Sequence, residues 1–341
     1  MKHYNINSVS NSKKSSKEVW VQQLLDVVTD PLELLNILNI KNNNKIISAP
    51  KQFPMRVPRT FIERMHYGDI HDPLLLQVLT TAKENINIQG YSFDPLNEQS
   101  IARLPGLLHK YKNRVLLLIK GRCAINCRYC FRRHFPYHIH KMNKKNWNNI
   151  LQYIDSHPEI NEVILSGGDP MMAKDAELNN IITQLENISH IKKLRIHTRL
   201  PVVIPARITI QLCQRFKKSR LQIILVTHIN HPQEIDKNLS NSMLLLKKNG
   251  VTLLNQSVLL RNINNNAKIL ADLSNALFDI GILPYYLNML DKVQGASAFF
   301  VSDEEACAIM RNLLKKLSGY LVPRLIRDSS DILNKIPLNL Y

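Results

Sequence analysis

Short apolar runs alternate with longer amphipathic segments along the C-terminal two thirds of this 341-residue chain. The runs occupy 114–119, 162–166, 193–197, 222–227, 251–258 and 283–290, and the amphipathic segments occupy 143–156, 175–187, 206–217, 232–248, 267–280 and 303–318. Continuous apolar strands separated by helices are typical of a parallel sheet covered by helices. Six such units predict an α/β fold with an open or partial (β/α)6 barrel rather than the full eight-unit barrel.

The first third of the chain has a different pattern. Residues 17–42 predict helices interrupted at Asp30-Pro31, where the proline suits a helix start. Residues 50–110 are rich in proline and read as irregular, and residues 1–16 are expected to form a loose polar tail. We therefore expect three parts, which are a mainly helical or irregular extension (1–110), the barrel (111–300) and a C-terminal helix with a short tail (301–341).

Composition and charge narrow the class of protein. The chain is 45% hydrophobic and carries a formal net charge of +18. A basic excess can indicate a nucleic-acid partner, but no basic run is interleaved with aromatic residues, so we favour compositional drift and expect no nucleic acid to be required. Because the polar start holds no apolar signal and no stretch reaches about 18 apolar residues, we expect a cytoplasmic protein without a membrane partner.

Polar motifs follow the predicted strands at the ends where parallel folds place their sites. RCAINCRYC follows the first strand, SGGDP the second, HTRLP the third and THINHP the fourth, while NQS ends the fifth. These motifs are therefore expected to meet at one edge of the sheet.

Three of the five cysteines fall within eight residues, and Cys123, Cys127 and Cys130 have the spacing C-x3-C-x2-C. Thiolates suit iron–sulfur clusters, and three of them leave the fourth iron of a cubane open to a small molecule. One alternative is a zinc site completed by His134, and another is plain buried cysteine. A disulfide framework is disfavoured, because the cysteine number is odd and no export signal is present.

The cysteine loop resembles the signature of the radical S-adenosylmethionine superfamily, in which an aromatic residue, here Tyr129, precedes the last cysteine. The resemblance implies a [4Fe–4S] cluster whose open iron binds S-adenosylmethionine, with Tyr129 beside the adenine. A second motif of the superfamily is a Gly-Gly-acid turn after the second strand, where backbone can approach the methionine end of the cofactor. In this chain the turn consists of Ser166, Gly167, Gly168 and Asp169.

A narrower resemblance, to the lysine 2,3-aminomutase family, covers nearly the whole chain. The matching segments include VPRTFIERM (57–65), ILSGGDP (164–170), IPARI (204–208), THINHP (227–232), NQSVLLR (255–261), PYYL (284–287) and NKIPL (334–338). The compact length resembles the branch that makes (R)-β-lysine for modifying elongation factor P. The resemblance implies an isomerase that moves the α-amino group of lysine to C3 and uses pyridoxal phosphate as a further cofactor. It also implies an electron donor and a functional link to the ligase system of elongation factor P.

The family's cofactor contacts can be carried onto matching positions. Lys335 is expected to bind pyridoxal phosphate covalently, since a lysine amine is the usual partner of that aldehyde. Lys110 and Arg114 match positions that hold its phosphate. His228 and Gln256, at strand ends, match contacts to S-adenosylmethionine.

Three further positions match contacts to the substrate. Arg132 is expected to pair with the carboxylate of lysine through its planar fork, and Asp291 and Asp328 are expected to hold the distal ammonium. For each of these residues taken singly, a surface salt bridge is the alternative. A glutamate mutase would need a cation in place of the acid pair, and a radical methylase or thiolase acting on RNA would have no use for Lys335. A decayed, purely binding protein is disfavoured because the motifs are retained.

The C-terminal end carries a separate hypothesis. Residues 328–335 are expected to form a flap over the cavity, anchored by burial of Ile336, Pro337 and Leu338, and the alternative is a frayed terminus. Two features depart from the family pattern. Ala298 stands where a histidine is common, and the segment 329–334 lacks the usual glycines.

Overall fold

The computed structural model describes residues 18–41, 53–330, 332 and 334–341, and the backbone alone of Lys83. The polar tail expected at 1–16 lies outside these residues. The helices are α1 (Val19–Leu25), α2 (Pro31–Ile37), α3 (Arg59–Ile62), α4 (Pro73–Leu76), α5 (Lys144–Asp155), α6 (Asp175–Glu186), α7 (Leu200–Val203), α8 (Ile210–Lys217), α9 (Lys237–Lys248), α10 (Ala267–Asp279) and α11 (Asp303–Leu314). The strands are β1 (Val27–Val28), β2 (Val57–Pro58), β3 (Ala102–Leu104), β4 (Leu107–Tyr111), β5 (Arg114–Lys120), β6 (Glu162–Gly167), β7 (Lys193–Thr198), β8 (Gln222–Thr227), β9 (Thr252–Val258), β10 (Leu283–Asn288), β11 (Arg324–Arg327) and β12 (Ile336–Pro337).

One sheet of ten strands organises the described part of the chain, in the order β12-β11-β10-β9-β8-β7-β6-β5-β4-β3. Strands β5 to β11 pair in parallel, and β3, β4 and β12 add antiparallel edges. The six predicted strands are confirmed as β5 to β10. Strand β6 is buried along nearly its whole length, whereas in β10 only Leu287 is buried. The short seventh parallel strand, β11, was not predicted.

The two ends of the parallel region come together, so the sheet curls into a partial barrel. Lys110 on β4 contacts Asp328, which follows β11, with 2.8 Å between Nζ and Oδ1. The predicted α/β partial barrel is therefore confirmed. The boundaries expected at 110 and 300 fall within this one sheet, because β3 and β4 precede the barrel strands and β11 and β12 follow them.

Several α-helices begin where side chains cap them, and this is not always where the apolar pattern predicted a start. The segments predicted to start at 206 and 232 begin instead with 3₁₀ turns at Pro205–Arg207 and Pro232–Glu234. The α-helices start later, at α8 and α9, where the side chains of Thr209 and Asp236 accept hydrogen bonds from backbone N–H groups. The predicted interruption at Asp30-Pro31 is confirmed, since the Asp30 side chain caps α2.

The C-terminal tail is anchored by strand pairing and by partial packing. Strand β12 pairs with β11, and Leu338 N donates to Leu325 O at 3.1 Å. The expectation that Ile336, Pro337 and Leu338 are fully buried is wrong, because Pro337 is exposed and the other two are half-buried. Backbone hydrogen bonds to the neighbouring strand thus provide part of the anchoring that burial was expected to provide.

Among the described residues, no helix is long and apolar enough to cross a bilayer.

Candidate active site

A cavity of about 760 Å³ lies inside the curled sheet and is lined by residues of its strands and of the loops that follow them. Its volume suits more than one organic ligand of moderate size. Every residue given a role from the sequence lines it, namely Lys110, Arg114, Cys123, Cys127, Tyr129, Cys130, Arg132, Ser166, Gly167, Gly168, Asp169, His228, Gln256, Asp291, Asp328 and Lys335. The fold therefore brings together residues that lie up to 225 positions apart, from Lys110 to Lys335.

The three clustered cysteines border the cavity as free thiols. Desolvation, together with Asp169 and the other two sulfurs, raises the pKa of Cys123 well above its usual range, and desolvation and Cys127 raise that of Cys130 to about 12. Thiols that resist ionisation in this way become thiolates when a positive metal centre binds them. The donor set therefore fits an iron–sulfur cluster, which contacts each thiolate at a different iron.

The zinc alternative needs His134 as its fourth ligand. Nε2 of His134 lies 3.1 Å from the carbonyl oxygen of Gln294, and its ring packs edge-on against Phe93 at 4.8 Å between centroids. Within the described ranges, His134 is not gathered with the three cysteines around a single ion.

The glycine turn after β6 is pressed against the cysteine loop. A Cβ on Gly167 would lie 2.4 Å from the carbonyl oxygen of Lys120, and one on Gly168 would lie 2.6 Å from that of Arg122. Gly167 also has φ of +123°, which L side chains rarely adopt. Both glycines are thus required for the close approach of two loops at the mouth of the cavity.

Replacing Gly167 by alanine is expected to lower the free energy of unfolding and to weaken binding of S-adenosylmethionine. The matched control is Gly250→Ala, at φ +82° with nothing within 4 Å, which tests the backbone cost alone. That cost is about 1–2 kcal/mol, and the clash at Gly167 adds to it. Chemical denaturation and calorimetric titration measure both effects. Equal losses in the two variants would show that the contact with Lys120 is unimportant.

Asp169 supports the loops rather than facing the cavity with a free carboxylate. Its Oδ1 accepts from Met171 N at 2.9 Å and Thr198 Oγ1 at 2.7 Å, and its Oδ2 accepts from the backbone N of Arg199 and Leu200 at 2.8 and 2.9 Å. The carboxylate thereby joins the turn after β6 to the turn after β7. Its contribution to a cofactor site is consequently to hold both turns in place.

Tyr129 and His228 form a neutral aromatic pair in the cavity wall. Their rings stack with 5.6 Å between centroids, and Tyr129 Oη lies 3.0 Å from Nε2 of His228. Desolvation and the nearby Arg199 cation lower the pKa of His228 to about 3, so the ring is uncharged at neutral pH. Gln256 also lines the cavity, and its Nε2 lies 3.5 Å from Nδ1 of His197. Uncharged, partly apolar surfaces of this kind suit a nucleobase.

Elsewhere in the cavity lining, Asp328 binds two lysines. Its Oδ2 lies 2.8 Å from Nζ of Lys335, and its Oδ1 lies 2.8 Å from Nζ of Lys110. Desolvation opposes ionisation of Asp328, but the two ammonium groups hold its pKa below the usual range. The carboxylate expected to receive a substrate ammonium is thus already paired with ammonium groups of the protein.

Asp291 faces the same group of charges. Desolvation raises its pKa to about 7, an effect that the neighbouring Lys335 reduces and Asp328 reinforces. The carboxyl group is therefore poised to ionise when a further cation approaches.

The guanidinium of Arg132 is not open in the manner expected from the sequence. Glu98 occupies its fork, with Nε to Oε2 at 2.7 Å and Nη2 to Oε1 at 2.6 Å, and both side chains are buried. Nη1 donates to Ser166 Oγ at 2.9 Å. A substrate carboxylate at Arg132 would have to share or displace Glu98, which sequence reasoning missed because it lies in the irregular segment before the barrel.

Further residues of the cavity lining add positive charge and aromatic surface. Arg195 on β7 pairs with Glu162 at 2.8 Å, and Arg114 lies over the ring of Tyr111 at 3.7 Å. Tyr286 on β10 lies 5.8 Å from Nζ of Lys335. A reactive lysine, an aromatic wall and nearby cations fit pyridoxal phosphate, which carries an aldehyde, a ring and a phosphate.

Comparisons with known proteins agree with this geometry. Residues 117–266 match the model of the radical SAM superfamily. The chain is 59% identical to an L-lysine 2,3-aminomutase of Escherichia coli (strain K12) over 95% of this chain and 96% of that protein. It is 52% identical to a protein of the same name from Haemophilus influenzae, over 93% and 94%. A third of that name, from Clostridium subterminale, is 35% identical over 86% of this chain but only 70% of its own length.

Proposed function

The chain belongs to the lysine 2,3-aminomutase family of the radical S-adenosylmethionine superfamily, and from this premise we propose that it converts L-α-lysine to (R)-β-lysine. The observation that carries the proposal is a single cavity lined both by three thiols and by Lys335 with an acid pair. A radical methylase acting on RNA would need the thiols alone. Lys335 and the acid pair support an amino-acid isomerase.

Two sets of cavity residues would hold the cofactors, one for the cluster and S-adenosylmethionine and one for pyridoxal phosphate. Cys123, Cys127 and Cys130 would hold the cluster, with S-adenosylmethionine against the stacked pair of Tyr129 and His228. When bound, the cluster and S-adenosylmethionine supply radical chemistry at C3 of lysine, and pyridoxal phosphate carries the migrating nitrogen.

The part of the cavity around Lys335 would hold pyridoxal phosphate and the reacting lysine. Lys335 would bond to pyridoxal phosphate, while Lys110, Arg114 and Arg195 would balance its phosphate. The protein's own contribution is alignment and exclusion of water, because the curled sheet surrounds the reacting carbon on most sides.

The acid pair would select lysine by the charge at the end of its side chain. Asp328 already pairs with Lys335 and Lys110, so the distal ammonium of a substrate lysine would share its carboxylate oxygens with these two groups. Asp291, beside it, would ionise to complete the pair. A substrate carboxylate in the same place would meet like charges, which disfavours glutamate.

Replacing Asp291 by asparagine is expected to reduce kcat/KM for lysine while the iron content stays unchanged. Removing one partner of a buried charge pair costs about 3–5 kcal/mol, or about a hundredfold or more in rate. Steady-state assays with varied lysine measure the loss. Asp272→Asn is the control, because that carboxylate pairs with Lys268 on the exposed face of α10. Unchanged lysine kinetics in the Asp291 variant would remove it from the substrate site.

The same residue predicts a pH dependence. With a pKa of about 7, Asp291 is neutral in more acidic solution and attracts the ammonium weakly. Since kcat/KM reports the free enzyme, it should rise between about pH 6 and 8 and then level off. The charged groups that surround this carboxyl are Lys335, Asp328, Glu98 and Lys110. In the asparagine variant the inflection should vanish, and its persistence would assign it to another group.

The finer parts of the proposal concern the product, the partners and the electron source. The chain and its relatives from Escherichia coli and Haemophilus influenzae cover nearly all of one another, whereas the Clostridium subterminale protein is longer. This supports the compact branch, and with it β-lysine production for modification of elongation factor P. An external one-electron donor is also part of the proposal, because the cluster must be reduced in each productive activation.

A direct assay tests the function. Anaerobically reconstituted protein is incubated with S-adenosylmethionine, pyridoxal phosphate, dithionite and either lysine or glutamate, and the amino acids are separated on a chiral column. We expect (R)-β-lysine from lysine and no β-amino acid from glutamate. Turnover of glutamate, or the (S) product, would contradict the proposal.

A further inference from the structure

We propose that Arg199 is a positioning residue that makes the iron–sulfur cluster easier to reduce, by donating a charged hydrogen bond to the sulfur of Cys127. The inference rests on the cluster that the proposed function assigns to the three cysteines. Nη1 of Arg199 contacts Sγ of Cys127 and lies 2.8 Å from the hydroxyl of Tyr129. Its guanidinium is thus the buried cation in contact with a cluster thiol.

The orientation of this guanidinium is fixed by a network on its other side. Nη2 donates to Oε1 of Gln77 at 2.6 Å and to Oε2 of Glu234 at 2.9 Å. The backbone N of Arg199 donates to Asp169, which ties the residue to the glycine turn as well. Only 6% of Arg199 is exposed, so solvent does not compete for these contacts. The N–H group that points at the sulfur is therefore held in a fixed orientation.

Glu234 is equally constrained. It is fully buried, and its Oε1 accepts from the backbone N of Asn230 at 2.9 Å and from Nε2 of Gln77 at 3.2 Å. The carboxylate cannot turn away from Arg199 without leaving several donors unpaired. A cation and an anion are thus held at fixed and unequal distances from the cluster, with the cation in contact and the anion behind it.

This arrangement has a definite electrostatic consequence. Reduction adds one electron from an external donor to the cluster and its thiolates, with no bond to the protein made or broken. A neighbouring cation stabilises the added negative charge, and hydrogen bonds to the sulfurs raise the reduction potential. Because the pair is buried, screening by water is weak. Arg199 should raise the midpoint potential, and Glu234 should offset part of that increase.

The sequence alone could not reveal this device, because its parts come from distant segments. Gln77 follows α4 in the N-terminal extension, Arg199 follows β7, and Glu234 lies in the turn after β8. The extension therefore joins the network around Arg199 through the side-chain amide of Gln77. An arginine is also suited to the task because it stays charged when buried.

The test compares Arg199→Met, Arg199→Lys and Glu234→Gln with the wild-type protein. The reduction of the reconstituted cluster is titrated by electron paramagnetic resonance without S-adenosylmethionine, and iron is counted in each sample. We expect a lower midpoint potential in Arg199→Met, a smaller decrease in Arg199→Lys and an increase in Glu234→Gln. Opposite shifts for the two partners would not arise from loosened packing. Arg207→Lys is the matched control, since Arg207 is a buried arginine paired with Asp175 and it donates to Met171 O and Ala173 O.

Three outcomes would overturn the inference. They are an unchanged potential in both Arg199 variants, shifts of the same sign in the Arg199 and Glu234 variants, and an equal shift in Arg207→Lys. If Arg199→Met fails to retain iron, the Arg199→Lys and Glu234→Gln pair decides the question alone. A wild-type protein that binds no iron would be a different failure, that of the proposed function.

Discussion

Replacing Cys127 by alanine is expected to abolish the cluster and with it all turnover. Three thiols are the minimum that this site supplies, and the loss of one leaves a cubane with two protein ligands and an exposed edge. The remaining Cys123 and Cys130 are also hard to ionise, because desolvation raises the pKa of both thiols. We therefore expect loss of the metal rather than weaker binding.

Iron and sulfide analysis of anaerobically purified protein measures this effect. The wild-type protein should hold about four irons per chain, and the variant close to none. Cys213→Ala is the matched control, since Cys213 is a buried cysteine on α8 and lies outside the cavity lining. Full iron content in the Cys127 variant, or stoichiometric zinc without iron in the wild type, would contradict the assignment.

Borohydride treatment of protein loaded with pyridoxal phosphate should fix the cofactor on Lys335 alone. The Nζ atom of Lys335 faces the cavity beside Asp328 and Tyr286, where an aldehyde can reach it. Lys335→Ala should lose the covalent link, the visible absorbance band and turnover together. Lys110 lies on the other oxygen of Asp328, and we expect this second amine not to replace Lys335.

Peptide mapping of the reduced protein identifies the labelled residue. Lys110 is the matched control, because it binds the same carboxylate at the same distance of 2.8 Å. Lys110→Ala should keep the covalent link on Lys335 and only weaken cofactor binding, as expected for a phosphate contact. A label on Lys110 or elsewhere would make the Lys335 assignment wrong. If no residue is labelled, the aminomutase assignment fails and only the radical S-adenosylmethionine assignment remains.

The barrel could be predicted from the sequence because apolar runs recur at regular intervals between segments with a helical pattern. Strand β6 is buried from Val163 to Gly167, and such a run is unambiguous when helical segments flank it. Strand β11 was missed because four residues, two of them arginines, carry no such pattern. Its place in the sheet is decided by the neighbouring β10 rather than by its own composition.

The candidate site could be predicted only where motifs stand in short segments. The cysteine loop, the glycine turn and the terminal Lys335 were all indicated in this way, and the fold brings them to one cavity. Glu98 and Glu234 were not indicated, and Arg199 was noted only as part of the HTRLP motif, because each acts through a partner that is remote in sequence. Pairings of this type depend on the folded geometry, and a single sequence does not show which of these residues come into contact.

Transfer of a labelled nitrogen tests the central claim most directly. Lysine carrying ¹⁵N at its α-amino group and ¹³C at C3 is incubated with the reconstituted protein, and the product is followed by nuclear magnetic resonance. The account predicts a β-amino acid in which ¹⁵N is bonded to ¹³C3, with S-adenosylmethionine and pyridoxal phosphate both required. Unchanged lysine in protein that holds both the cluster and the Lys335-bound cofactor, or a product with ¹⁵N still at C2, would contradict it.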